Sequence, residues 1–356
     1  MKHVSRKVTA VALVAAFATL VAAGAIASVK TSGGKRASIQ VCVLLPDTKS
    51  SVRWVQFDAP DFAKALKAAG VTYSITNALN EPQKQKAQAS ACLAAGAKVV
   101  VETALDNGSA SSIEKLFTSH GGKAIDYDRQ VIGGTASVYV AFDGNQVGRA
   151  QANGILAALK GKTKPVVAEL WGGPTDQNAF WFKSGNDDVL NPLFKSGKLT
   201  KGPQQFVPDW LATNAAPIFA QMLVKTNNKI DAAIAANDNI AGAVIATLKA
   251  RHLKPIPLSG QDATPIGVQY ILAGWQTGTV YKYVPDEAKA AAEAAVALLK
   301  GQTPKTTTTR KNGSKMEPTL SLPVIWITKA NYTRLFTDHF LKKSAVCIGQ
   351  YAKYCK

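Results

Sequence analysis

Histidine and cysteine are scarce in this chain of 356 residues, with four of each. No histidine stands at ligand spacing from a cysteine, so the common zinc arrangements are excluded and no metal is expected. A nucleophile elbow, a glycine-rich phosphate loop and the linear metal motifs are also missing, so the chain carries no signature of an enzyme and none of a cofactor. Acidic residues number 23 against 42 basic ones, a formal net charge of +19. The basic excess is spread along the chain, without a long basic run or a basic strip interleaved with aromatics. Nucleic acid is therefore not expected as a partner. Beyond residue 27 no apolar run is long enough to cross a bilayer.

What is present suffices for two domains. Hydrophobic residues make up 47% of the chain, enough for two cores of ordinary size. The first residues, Met1 to Lys7, are basic, and Val8 to Ala27 form an apolar, alanine-rich run ending in Ala25-Ile26-Ala27. This predicts a signal peptide over 1–27 and export to the periplasm or beyond. An uncleaved membrane anchor is the alternative, since the run is about 20 residues long, near one bilayer. Residues 28–38, around KTSGGKRAS, read as a linker.

Export permits disulfides, and an even count of cysteines fits pairing. Three connectivities are open in principle. Cys347 and Cys355 are close together in a tail that would otherwise fray, so they are expected to pair, and Cys42 is expected with Cys92.

The rest of the chain reads as strand-helix units. Ile39 to Leu45 is a continuous apolar run of strand length, the pattern of a parallel strand buried on both faces. Further strands are expected at Thr72–Thr76, Lys98–Glu102, Lys123–Tyr127, Ser137–Phe142, Val166–Leu170, around Phe206, at Ala232–Ala235 and at Ile256–Leu258. Amphipathic helices lie between them. This alternation implies an α/β fold with parallel sheets, and the rhythm restarts near Ser137, which predicts two such sheets in succession.

In open α/β sheets, ligands bind beyond the carboxyl ends of the strands. The residues found there recur in type: Asp47 and then Arg53-Trp54, Asp106-Asn107, Asp128-Arg129, Asp143 and Asn145, Asp176 and Asn178, Asn237-Asp238-Asn239, and Gln261-Asp262. Each taken singly can be a helix cap, as Asp238 before Ile240 would be. Seven such ends together predict a polar cleft between two sheets. Planar polar groups offer several hydrogen bonds each. Trp54, Phe180, Trp181, Phe182 and Trp210 are available to stack. Hydroxyl-binding groups beside aromatic faces suit a sugar ring.

These stretches resemble the periplasmic sugar-binding proteins of ABC importers, and within them the xylose-binding branch. The matching segments are RW at Arg53-Trp54, YDR at Tyr127-Asp128-Arg129, and YVAFDGNQVGRAQANGIL at Tyr139 to Leu156. GGPTDQNAFWFKSG at Gly172 to Gly185 follows, then DAAIAANDNIAGAVIATL at Asp231 to Leu248, SGQDA at Ser259 to Ala263, and TVYK at Thr279 to Lys282. Each is weak alone; in series, over residues 39 to about 335, they are specific. The resemblance implies the type I fold, two Rossmann-like lobes joined by a three-segment hinge. One lobe is expected over 39–143 and 280–318, and the other over 145–278 and 319–356. Hinges are expected near Asp143–Asn145, Thr277–Val280 and Thr319–Leu322. By position, Asp128, Arg129, Asn178, Asn237, Asp238, Gln261 and Lys282 would be ligand or hinge residues. Arg53, Trp54, Asp143, Phe182, Lys183 and Trp210 complete the expected ligand set. The sequence departs from the branch in four places, one of them the extended tail ending in Cys347 and Cys355. Lys183 stands where an arginine is usual, Gly144 where an asparagine is usual, and Trp54 to Phe62 is one residue longer.

The implied function is capture of a monosaccharide by a monomer and its delivery to a membrane permease. A sugar sensor serving a chemoreceptor is the alternative. A glycoside hydrolase would need two carboxylates flanking a scissile bond; Asp128 and Asp238 could face one another, but both stand among groups suited to keep them ionised and hydrogen-bonded. A sugar-responsive repressor would need an N-terminal helix-turn-helix, where residues 1–38 instead read as an export signal.

Overall fold

The computed structural model describes residues 38–355. The expected signal peptide and all but the last residue of the expected linker lie outside them. The chain begins with β1 (Val41–Leu45), α1 (Ala59–Ala68), β2 (Tyr73–Asn77), α2 (Pro82–Ala94), β3 (Val99–Glu102), α3 (Asn107–Ser119), β4 (Lys123–Tyr127) and β5 (Val138–Phe142). It continues through α4 (Gly144–Ala158), β6 (Val166–Trp171), α5 (Gln177–Lys195), β7 (Thr200–Phe206), α6 (Ala212–Lys225), β8 (Ala232–Ala235) and α7 (Asp238–Ala250). Then come α8 (Pro265–Leu272), β9 (Thr279–Tyr281), α9 (Val284–Leu299), β10 (Thr308–Asn312), β11 (Lys315–Leu322) and β12 (Ile325–Ile327).

The strands form separate sheets. Seven of them lie in the order β10-β11-β5-β4-β3-β1-β2, three in the order β7-β6-β8, and β12 pairs with β9. Within the first two sheets every pairing is parallel except the β10–β11 hairpin. Every residue of β1 is buried, because helices cover both faces of a parallel sheet. One face packs Val41, Val43 and Leu45 with Phe62, Leu66 and the alanine-rich face of α9. The other packs Cys42 and Leu44 with Ala89, Cys92 and Phe117. Helices α1 and α2 stop where Gly70 and Gly96 enter positive φ, +70° and +95°, a conformation that costs glycine little.

The run Ile256–Leu258, expected as a strand, is not one: it makes a single bridge, Leu258 to Ala233. Pro255 and Pro257 lack amide hydrogens and cannot donate to a ladder. The contact survives because Pro257 offers its carbonyl to Ala233 N and Ser259 N donates to Ala233 O. The extra residue between Trp54 and Phe62 coincides with a π-helical turn, Trp54–Asp58, wider than an α-turn and rare.

Both disulfides form as expected, Cys42 with Cys92 and Cys347 with Cys355. The first ties β1 to α2. The second closes the tail, which packs Leu335, Phe340, Leu341 and Val346 against Tyr281, Val284 and Ile327.

Candidate functional site

The loops at the carboxyl ends of β1, β4, β6 and β8 converge on one small cavity. Its wall holds Ser50, Ser51, Arg53, Trp54, Asp128, Arg129, Asp176, Asn178, Phe182, Trp210, Asn237, Gln261, Asp262 and Lys282. Ten of the thirteen expected ligand residues are thus brought together.

Arg53 anchors one side. Its guanidinium grips Asp58 with two nitrogens, at 3.0 and 2.7 Å, and reaches Glu287 at 2.6 Å and Asp128 at 2.6 Å. The planar fork matches these oxygens as an ammonium could not. Asp128 follows β4 in the left-handed region, φ +60°, which turns the chain so that its carboxylate faces the cavity wall. Asn178 Nδ2 donates to the Asp128 carbonyl at 2.8 Å and to Oδ2 at 3.2 Å. Lys282 Nζ lies 3.5 Å from Asp128 and 3.2 Å from Asp262. Burial alone would raise the Asp128 pKa; Arg53, Lys282 and Arg129 outweigh it and hold the group below the usual carboxylate value.

Arg129 forms a second anchor. Its Nε lies 2.9 Å from Asp176 Oδ2 without the alignment of a hydrogen bond, while Nη1 donates to Ala104 O at 3.0 Å. The same Asp176 oxygen accepts from Trp210 Nε1 at 3.1 Å. Trp210 meets Phe182 edge to face, with centroids 6.0 Å apart. The Trp54 ring lies under both guanidiniums, 4.5 Å from Arg53 and 5.4 Å from Arg129. Direct bonds also join loops from the two sheets. Asn237 Nδ2 donates to Ser50 O at 3.0 Å, and Ser51 Oγ donates to Asp262 Oδ2 at 2.8 Å. Gln261 Oε1 is buried in the wall with no protein partner.

Asp143, Lys183 and Asp238 lie apart from the cavity. Asp143 caps α4, accepting from Asn145 N and Gln146 N, and pairs with Arg310. Lys183 pairs with Asp187 on its own helix and stands over the Trp171 ring. Asp238 turns behind the wall, where it accepts from Thr264 N at 2.8 Å, Thr264 Oγ1 at 3.0 Å and Gln276 Nε2 at 2.8 Å. Gly260 and Gly267 press on it so closely that a Cβ on either would come within 2.2 Å of its oxygens. Its role is to fasten the loop that carries Gln261 and Asp262.

Four wall residues lie outside the expected ligand set: Ser50, Ser51, Asp176 and Asp262. The two acids stand at strand ends and were legible as such. The serines carry no pattern of their own; the π-helical turn and Arg53 bring their loop to the cavity.

The periplasmic binding protein domain family matches residues 41–303, and the chain belongs to that family. The chain is 35% identical over 294 residues to a D-xylose-binding periplasmic protein of Escherichia coli, covering 82% of this chain and 88% of that one. It is 32% identical over 310 residues to a multiple sugar-binding periplasmic receptor of Rhizobium radiobacter, covering 82% and 87%. Among solved structures, a carbohydrate transporter solute-binding protein from Chloroflexus aurantiacus in complex with D-glucose superposes with a TM-score of 0.79 at 27% identity, covering 86% of this chain and 98% of that one. The relatives are binding and transport proteins, and this chain is a binding protein rather than an enzyme.

Proposed function

We propose that this chain captures one neutral monosaccharide, a xylose-like pentose or a related sugar, in the cavity between its lobes. It then delivers the sugar to the permease of an ABC transporter. The observation that carries the reading is the balance of the wall. Three cations (Arg53, Arg129, Lys282) face three carboxylates (Asp128, Asp176, Asp262), beside Trp54, Phe182 and Trp210. A wall with its charges paired favours an uncharged ligand, and its remaining donors and acceptors suit hydroxyls. The identity to xylose-binding proteins supports a pentose, while the glucose-bound neighbour supports a hexose as competitor.

Ligand contacts from both lobes are complete only when the lobes are closed, so the sugar stabilises closure by differential affinity. Closure presents a surface from both lobes to the permease, and the working unit in this reading is a monomer. The lobe limits we propose place β1–β5, α9, β10 and β11 in one lobe and α4–α8 with the tail in the other. The chain crosses near Asp143, at β9 and after Leu322, since β11 stays paired with β5 to that residue. The relative described as a receptor supports a second role, as a sugar sensor for a signalling partner.

Calorimetry of the full chain against xylose, arabinose, ribose, glucose and galactose tests the proposal. Saturable binding of one or a few of them is expected; no binding by any, or chemical conversion of the bound sugar, would overturn it.

A further inference from the structure

Three carboxylates meet beneath the seven-stranded sheet's carboxyl edge, outside the wall of the cavity. Glu102 ends β3, Asp126 is its cross-strand partner on β4, and Glu114 comes from α3. One oxygen of each lies within 4.8 Å of the others, and all three side chains are fully buried. Glu114 Oε2 accepts from Thr135 N, and Asp126 Oδ2 accepts from Val131 N at 2.7 Å. Both oxygens of Glu102 have no partner, while the side chains of Glu114 and Asp126 meet one another and Asp126 also meets Glu317. Among the described residues no lysine or arginine pairs with any of the three. The charges that act on Glu102 and Asp126 are one another, Glu114, Asp106 and Glu317, all acidic.

A sealed, unpaired carboxylate is costly, and three together cannot all remain ionised without a counter-charge. Three carboxylates converging from rigid elements, with both oxygens of the buried Glu102 unpartnered and no nitrogen or sulfur among them, form a donor set for a hard cation. We propose that Glu102, Glu114 and Asp126 bind a divalent cation of the calcium class, at a site separate from the sugar cavity. Glu102 supplies two oxygens, and the backbone amides of Val131 and Thr135 hold the other two acids in place. The ion fastens β3 and β4 to α3 and to the loop that begins at Asp128.

The test uses the full chain, stripped with a chelator and titrated with calcium, magnesium or manganese in calorimetry and thermal unfolding. Calcium at about 1 mM, the weak end of protein calcium sites, is expected to give binding heat and raise Tm. Glu102→Gln and Asp126→Asn should each abolish it. No heat and no Tm change with any of the three ions in the unmodified chain would overturn the proposal. So would a calcium response that survives both substitutions.

Discussion

Arg53 Nη1 stands 2.6 Å from Asp128 Oδ1, and both residues are almost wholly buried. The pair joins the loop after β1 to the loop after β4, and the same guanidinium also holds Asp58 and Glu287. Arg53 is thus both part of the wall and the foundation under it. Replacing it with alanine leaves the buried Asp58 and Glu287 without their paired cation and Asp128 with Lys282 as its remaining ion-pair partner. Arg53→Ala is expected to cost about 3–5 kcal/mol of stability, the usual result of removing one partner from a buried ion pair. Arg53→Lys should fall between, since an ammonium keeps the charge and loses the fork. Urea unfolding measures both; an alanine variant as stable as the parent would show that the cluster is neutralised by other means.

Asp176 holds Arg129 and Trp210 through a single oxygen. Asp176→Ala should free both from their positions on the wall and leave Arg129 buried without its partner. Loss of a buried, charged hydrogen-bond partner typically costs about 2–5 kcal/mol in binding. With about 1.4 kcal/mol per tenfold, sugar affinity should fall by at least about tenfold. Calorimetry with the cognate sugar decides it; unchanged affinity would remove Arg129 and Trp210 from the ligand set.

Much of this architecture was legible in the sequence because parallel strands buried on both faces read as continuous apolar runs, as β1 and β8 do. The hairpin β10–β11 was not. Thr308–Asn312 is mostly exposed and polar, and only its pairing makes it a strand. The cavity was legible at the strand ends, which supplied Asp128, Asn178, Asn237 and Gln261. Asp143 and Asp238 look the same in sequence as those four. A carboxylate at a helix start serves as cap or as ligand depending on which side of its loop it faces. That is set by contacts distant in sequence, such as Asp238 with Gln276. The acids Glu102, Glu114 and Asp126 escaped notice because each lies in a separate element and no linear motif joins them.

Gly172 offers a finer probe of the cavity. A Cβ there would come within 2.0 Å of the Trp210 ring. Trp210 is further constrained by a backbone at φ +59° and by its bond to Asp176. Gly172→Ala should therefore push the ring out of place, with an overpacking cost of about 1–3 kcal/mol. The sugar affinity should weaken while the secondary structure, followed by circular dichroism, stays that of the parent. Normal affinity would indicate that Trp210 does not cover the sugar.

Asp238 predicts a pH dependence of stability with a definite sign. Burial raises its pKa from 3.8 to about 7; bonds from Gln276 and Thr264 oppose the rise and Asp262 adds to it. The folded chain thus keeps a proton on Asp238 over a range in which the unfolded chain has released it. Its contribution to stability is full below about pH 4 and is lost as pH rises through about 7. Other buried acids, such as Glu102 and Asp126, are shifted in the same direction, so the total slope cannot be assigned to one group. The difference between the parent and Asp238→Asn isolates it. Gln276 Oε1 has no partner and can turn to accept from the new amide, so the variant should fold. Urea unfolding from about pH 4 to about pH 7 should show the parent losing more stability than the variant, by an amount of order a few kcal/mol. Because Asp238 lies behind the wall, the variant should bind sugar within a few-fold of the parent, unlike Asp128→Asn. Parallel stability curves would place the Asp238 pKa near its ordinary value. A variant with normal stability and lost affinity would return Asp238 to the ligand set.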